Sequence, residues 1–139
     1  MPIRNFPFLD IYKDNHPRPW LPIRIVNPHT GKHFDTFGLI DTGADECSVP
    51  AFLAYEIGHD LNKGIPNTTN TAGGMATGYA HTTKIDIFNL EGKCVHTISD
   101  IPIDFMPNLP CVLLGVNNFL DQFKLHIDYP GFNFSIIYS

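Results

Sequence analysis

An aspartate at the end of an apolar segment is the residue of this chain best placed to do chemistry. Asp41 follows the strand-like run Phe37–Ile40, and Thr42 and Gly43 come directly after it. Removing a lone charge from water is costly, so a carboxylate at the end of a buried strand needs partners or a task. Gly43 allows the backbone to turn back tightly. The small residues Thr42 and Ala44 would let another chain approach the carboxylate.

A predicted hairpin and a predicted helix position this aspartate. Trp20–Val26 and His33–Ile40 are strand candidates, and residues 27–32 between them combine Asn-Pro with a glycine, which is typical of a turn. The second strand of the hairpin ends at Asp41. A proline before Ala51–Ile57 and a glycine after it predict a helix of about two turns there.

The rest of the chain is predicted to consist mainly of strands. Tyr79–Phe88 is predicted to be a strand, in which Ile85 and Ile87 alternate with Lys84 and Asp86, and Cys94–Ile98 follows a turn and completes a hairpin. Residues 62–70 are predicted to be a polar connector. Further strands are predicted at residues 6–11, 101–106, 111–114, 123–128 and 132–138, and a short helix at residues 117–123. The expected structure is a compact all-β domain with two short helices.

Length and composition suit one globular domain. A chain of 139 residues with 43% apolar and 17% charged residues can bury one core and is not a disordered tail protein. The net charge of −5 gives no basic footprint for nucleic acid or for an anionic membrane, so neither is predicted as a partner. Residues 1–19 are rich in proline and predict an irregular arm packed on the domain formed by residues 20–139.

Several other kinds of site lack support in the sequence. Cys47, Cys94 and Cys111 are widely spaced and odd in number, which favours free thiols in a reducing compartment over disulfides or a zinc site. The seven histidines show no metal-ligand spacing, so no metal and no cofactor is predicted. Residues 1–10 contain no long apolar run of the kind found in signal peptides, and a cytoplasmic location is expected.

The surroundings of Asp41-Thr42-Gly43 resemble those of the same motif in the retropepsin-like aspartic proteases. These are single-domain relatives of the retroviral proteases and of each half of pepsin. A glycine-rich hairpin at residues 71–78 follows about thirty residues later, and Leu113-Leu114-Gly115 lies further along. The likeness extends from Trp20 to Tyr138, and the spacing over residues 113–123 is more similar to the bacterial cellular branch. The resemblance implies a closed β-barrel with one or two short helices and hydrolysis of peptide bonds in peptide or protein substrates.

The reaction that the resemblance implies needs two carboxylates. Like charges in contact cannot both ionise, so a pair that shares one proton can act as base and acid on one water molecule. The base takes a proton from the water as it attacks the carbonyl, and the acid assists the leaving amine. The chain has no second Asp-Thr-Gly or Asp-Ser-Gly. A homodimer that brings together Asp41 of two copies is therefore expected.

The resemblance also assigns roles to neighbours of Asp41. Thr42 would hydrogen-bond across the dimer, and Gly43 would present its carbonyl group to the substrate. Ala44 and Asp45 would line the adjoining pocket and contact the substrate backbone.

A second group of expected substrate-binding residues lies on the glycine-rich hairpin. The resemblance makes this hairpin a flap that closes over a bound peptide and adds hydrogen bonds in the manner of an extra strand. The residues expected at its tip are Ala72, Gly73, Gly74 and Met75.

One departure and several alternatives accompany the resemblance. Val116 stands where retroviral members carry an arginine that pairs with the acid at the Asp45 position. Asp41 could alternatively cap nearby backbone, the hairpin could be an ordinary mobile one, and Asp45 and Glu46 could be solvated acids. The alternative function is a peptide-binding or assembly module that has the fold but little or no catalysis.

Overall fold

The structure, a computed structural model, describes residues 1–71 and 74–138, without the side chains of residues 70 and 71. Most of this part of the chain is in strands. The strands are β1 (Ile3–Pro7), β2 (Trp20–Val26), β3 (His33–Ile40), β4 (Ser48–Pro50), β5 (Ile65–Thr71), β6 (Gly74–Phe88), β7 (Cys94–Met106), β8 (Val112–Leu114), β9 (Phe123–Asp128) and β10 (Asn133–Tyr138). The helical elements are α1 (Phe52–Glu56) and the 3-10 turns Leu61–Lys63 and Leu120–Gln122.

Six strands form a closed barrel in the order β2-β3-β8-β4-β7-β6. The barrel closes because β6 also pairs with β2, with Ile85 opposite Ile25 and Ile87 opposite Ile23. β5 pairs with the other end of β6 and lies outside this ring. Closure gives each of the six barrel strands a paired neighbour on both sides, which removes most open edges from the sheet.

The barrel interior is filled by isoleucine and aromatic side chains. Ile23, Ile25, Ile85 and Ile87 come from the two strands that close the barrel, and each is fully buried. They alternate with outward-facing residues because successive side chains of a strand point to opposite faces. Burial of each such side chain contributes about 1.5–3 kcal/mol relative to leaving it exposed.

A second sheet in the order β1-β10-β9 joins the two ends of the chain. Phe6 pairs with Phe134, and their ring centroids are 5.3 Å apart. Ile3, Phe6 and Phe8 of the N-terminal arm are all buried in the common core. Beyond them, residues 10–18 form a turn closed by the Leu9–Arg18 backbone bonds.

The all-β fold class is confirmed, and several elements have the predicted bounds. Strands β2, β3 and β9 begin and end where the sequence predicted. The predicted connector at residues 62–70 is wrong, because most of it belongs to β5. Its polar residues form a strand since β6 offers a complete edge for backbone pairing outside the barrel.

Four further expectations need correction. The helix expected at residues 51–57 is shorter, since α1 covers residues 52–56, and the helix expected at residues 117–123 is a 3-10 turn at 120–122. The strand expected at residues 6–11 is β1 at residues 3–7, whose position is set by its pairing with β10. The two strands expected at residues 94–98 and 101–106 are the single strand β7.

None of the helices found in residues 1–71 and 74–138 is long and apolar enough to cross a membrane.

The barrel core generates a test with two isoleucines. Ile103 in β7 is 0% exposed, whereas Ile65 in β5 is 74% exposed. We expect Ile103→Ala to lower the free energy of unfolding by about 2–5 kcal/mol, because the truncation leaves a cavity in the barrel. Ile65→Ala serves as the matched control and should change it by no more than about 0.5 kcal/mol. Urea denaturation at equal protein concentration measures both, and equal effects would contradict the proposed core.

Candidate active site

Asp41 lies at the point where β3 leaves the barrel. β3 pairs in parallel with β8, with Ile40 opposite Leu114. The backbone N–H of Asp41 continues this ladder by donating to the carbonyl oxygen of Leu114 at 3.1 Å. The main chain that carries the carboxylate is therefore fixed to a strand that lies more than seventy residues further along the chain.

A tight turn then orients the Asp41 side chain. The N–H of Gly43 donates to Oδ1 of Asp41 at 3.0 Å, and the N–H of Ala44 donates to the Asp41 carbonyl oxygen at 3.2 Å. Asp41 is half-buried, while Thr42 and Gly43 are exposed. The carboxylate does cap its own turn, as one of the alternatives stated. The hydrogen bond from Gly43 also fixes the direction in which the carboxylate faces. The tip of the turn, at Thr42 and Gly43, stays exposed.

The segment after β8 holds the other side of the turn. The N–H of Val116 donates to the Ala44 carbonyl oxygen at 2.9 Å, and the N–H of Asn117 donates to the Asp45 carbonyl oxygen at 2.7 Å. Asn117 also donates through Nδ2 to Oε1 of Glu46 at 3.0 Å. Val116 therefore supports the loop through its backbone at the place where an arginine side chain was expected. Glu46 is a hydrogen-bonded residue and not simply a solvated acid.

Gly115 fits under this turn with no room for a side chain. A Cβ atom at this position would lie 2.7 Å from the Ala44 carbonyl oxygen and closer still to the Glu46 carbonyl oxygen. Such contacts with backbone atoms cannot be relieved by moving a side chain. The turn can lie this close to residue 115 only because a glycine stands there.

The predicted site residues fall into two groups. Residues 41–45 lie together in the turn after β3. Gly74 and Met75 lie at the start of β6, where the strand pairs with β5, since the pairs with β7 begin only at Tyr79. Met75 is 67% exposed. Ala72 and Gly73 lie outside the described residues, so the expected tip of the flap is only partly described.

The sequence analysis did not single out a second buried carboxylate, Asp104, which lies beside Glu46 and Ser48. Asp104 in β7 is only 7% exposed and accepts a hydrogen bond of 3.0 Å from Nδ2 of Asn67 in β5. Burial raises the pKa of Asp104. Asp104 pairs with Ser48 of β4 and lines a cavity of about 370 Å³ together with Glu46 and Asn118. A lone acid inside the apolar run of residues 101–106 was the available signal, the same one that drew attention to Asp41.

The cysteine that follows the turn in the sequence, Cys47, has the wrong properties for a nucleophile. Cys47 is 2% exposed, and burial raises the pKa of its thiol to about 12. The thiol therefore stays protonated near neutral pH, and only a thiolate attacks efficiently. In the described part of the chain, no group of three or more histidine, cysteine or acidic side chains could hold a metal ion.

Comparison with known proteins establishes the fold. No protein-family model and no curated protein matches the chain. The chain is similar to the crystal structure of a retropepsin-like aspartic protease from Rickettsia conorii, with a TM-score of 0.58 and 24% sequence identity. The similarity covers 85% of this chain and 88% of that chain. This chain has a retropepsin-like fold. At this level of identity the likeness concerns the fold alone, and the roles of individual residues remain predictions.

The fit of Gly115 under the turn leads to a second prediction. We expect Gly115→Ala to lower the free energy of unfolding by about 1–3 kcal/mol, because the added methyl group must push the Ala44 and Glu46 carbonyl groups away. Asn117→Ala is the control, since it removes one exposed hydrogen bond from the same segment without adding atoms. It should cost about 1 kcal/mol or less. Urea denaturation measures both values, and a neutral Gly115→Ala would show that the close contact is absent.

The three thiols give a third prediction. Cys94 is exposed, Cys111 is half-buried and Cys47 is buried. We expect iodoacetamide to alkylate Cys94 first in the native protein and to leave Cys47 unmodified until the protein unfolds, because alkylation needs an accessible thiolate. Mass spectrometry of peptides after timed labelling measures the order. Early modification of Cys47 in the folded protein would contradict the burial of its thiol.

Proposed function

We propose that this protein is an aspartic endopeptidase that acts as a homodimer through the Asp41 carboxylates of two copies. The observation that carries the proposal is the placement of Asp41 in a retropepsin-like fold. The residue follows a barrel strand, and its turn is held from both sides by backbone hydrogen bonds. A carboxylate fixed in this way and open to a partner suits catalysis better than a purely structural role.

Both carboxylates of the proposed dyad act on one water molecule. One Asp41 is ionised and takes a proton from the water as the oxygen attacks the scissile carbonyl group. The other Asp41 is protonated, donates to the developing oxyanion and then assists the departure of the amine. The two groups titrate as a pair, because each stabilises or opposes the charge of the other.

The residues beside Asp41 suit an approach of the two copies through this turn. Thr42 and Gly43 are exposed at its tip. We propose that Thr42 hydrogen-bonds across the two-fold axis and that Gly43 offers its carbonyl group to the substrate. A rigid turn is an advantage, because misplacement of a catalytic group by about 1 Å can cost a hundredfold in rate.

A peptide in extended conformation is the proposed substrate. Ala44 and Asp45 continue from the catalytic turn, and Gly74 and Met75 lie on the β5–β6 hairpin. An extended peptide can add to backbone groups as a further strand, while alternate side chains enter pockets. We assign Ala44 and Asp45 to one wall of the binding cleft and the hairpin to the other.

Replacement of Asp41 is the direct test of this function. We expect Asp41→Asn to remain folded and dimeric but to lower the rate of cleavage by about 10²–10⁴-fold, because an amide can act as neither base nor acid. Asp100→Asn is a matched control on the exposed part of β7, where the positive φ of 56° suits asparagine well. Cleavage of denatured protein substrates between mildly acidic and neutral pH measures the effect.

Three results would contradict the proposal in different ways. Full activity of Asp41→Asn would exclude this residue from the chemistry. A strict monomer by analytical ultracentrifugation, both with and without substrate, would exclude the dyad. Peptide binding without any cleavage by the unmodified protein would instead favour the binding-module function.

A further inference from the structure

Two histidines from separate segments stack at the root of the β5–β6 hairpin. His59 follows α1, and His81 lies in β6. Their ring centroids are 4.5 Å apart with an interplanar angle of 23°. Both rings also contact Phe105 of β7 edge-on, at 5.4 Å for His59 and 5.5 Å for His81. We call this pair the His59–His81 stack.

Hydrogen bonds connect the stack to the chain that leads into β5. Nε2 of His81 lies 3.1 Å from the carbonyl oxygen of Leu61, so this nitrogen carries the proton and donates. A Cβ atom on Gly64 would come within 2.6 Å of the same nitrogen. The segment from Leu61 to Gly64 therefore packs closely on the His81 ring. Ile65, the next residue, begins β5.

A buried hydroxyl group completes the arrangement on the other side. Thr83 is 0% exposed and donates through Oγ1 to the His81 carbonyl oxygen at 2.9 Å. Nε2 of His59 lies 3.4 Å from the same Oγ1. Because that hydroxyl hydrogen is already used, His59 is the donor in this contact. In each of these two contacts a ring Nε2–H donates, to Leu61 from His81 and to Thr83 from His59, so neutral rings are sufficient for both hydrogen bonds.

The surroundings of His59 oppose its protonation. Burial, followed by the neighbouring His81 and His29, lowers the pKa of His59 to about 4. Glu56 and Asp60 line the open cavity of about 490 Å³ beside it, but Asp60 is paired with Lys63 at 3.8 Å. The titratable or charged groups around His59 are His29 and Lys32 from the β2–β3 turn, Tyr55 and Glu56 from α1, Asp60 from the following loop, and His81 from β6.

We propose that the His59–His81 stack is an acid-sensitive contact that holds the root of the β5–β6 hairpin against the barrel and releases it when His59 is protonated. A charged His59 requires more water than this site admits, and the neighbouring His81 and His29 also oppose its charge. Separation of the rings frees residues 61–64 from His81 and so loosens the start of β5. The proposal goes beyond proteolysis and does not require it.

Proton linkage gives the direction of the effect. An exposed histidine has a pKa of about 6.5, so a hairpin root that has opened binds one more proton than the closed one between about pH 6.5 and pH 4. The equilibrium constant for opening therefore increases as the pH falls through this range, by at most about tenfold per pH unit. Above about pH 7 the equilibrium constant for opening should no longer depend on the protonation of His59.

Amide hydrogen exchange of the unmodified protein tests the proposal. Exchange rates of the backbone amides in Ile65–Thr69, apart from Pro66, which has no N–H, are measured at pH 7 and pH 4.5 and corrected for the intrinsic effect of pH. We expect the protection of these amides to fall by about tenfold or more at pH 4.5, while β10 amides keep theirs. Unchanged protection of Ile65–Thr69 at pH 4.5 would overturn the proposal without any variant.

Variants then show whether His59 is the titrating group. His59→Gln keeps a side-chain N–H donor and cannot become charged, and His59→Phe keeps a ring against Phe105. In both, the additional opening between pH 7 and pH 4.5 should disappear, whatever the absolute protection. His126→Gln, at an exposed position in β9, is the control and should behave as the unmodified protein does. The same acid-induced opening in both His59 variants would overturn the proposal, and no step of the test depends on peptide cleavage.

Discussion

The position of Asp41 depends on backbone contacts between two parts of the chain that are far apart in sequence. Leu114 accepts from Asp41, Val116 donates to Ala44, and Gly115 fits beneath the turn because it lacks a side chain. These contacts exist only if β3 and β8 lie side by side. They are paired neighbours in the barrel, which the pairing of β6 with β2 closes. The geometry of the candidate site is therefore a consequence of the fold as a whole.

A site held by backbone atoms tolerates changes in nearby side chains. An ion pair between an arginine and Asp45 was one way to anchor this loop, but Val116 occupies the arginine position. Main-chain donors at residues 116 and 117 bind the carbonyl groups of residues 44 and 45 instead. Main-chain hydrogen bonds need no particular side chain, so the loop can keep its shape while the arginine is lost. The departure in sequence thus has little consequence for the turn that carries Asp41.

Local patterns in the sequence predicted the barrel strands well and the contacts between distant segments poorly. Alternation and turn residues were sufficient for β2 and β3, and the acid after an apolar run drew attention to Asp41, whose catalytic role stays a prediction. β5 was missed because its residues are polar, and its strand conformation depends on pairing with β6. The His59–His81 stack has no signal in the sequence, since the two residues are twenty-two positions apart and meet only through tertiary packing. Asp104 was partly predictable: the sequence shows a single acid in an apolar strand, but it does not show that Asn67 is its hydrogen-bond partner.

The proposed mechanism depends on a second copy of the chain because one carboxylate cannot act as both acid and base on the same water molecule. Acid and base catalysis on one water molecule requires two groups, and in the described part of the chain the hydrogen-bond partner of the Asp41 carboxylate is the Gly43 N–H. Glu46 is bound by Asn117 and Asp104 by Asn67, so each of these acids already has a structural partner. In the proposed mechanism the second carboxylate is therefore Asp41 of another copy. Thr42 and Gly43, which are exposed at the tip of the turn, are both small, so the proposed approach of an identical turn from another copy displaces no large side chain at the tip.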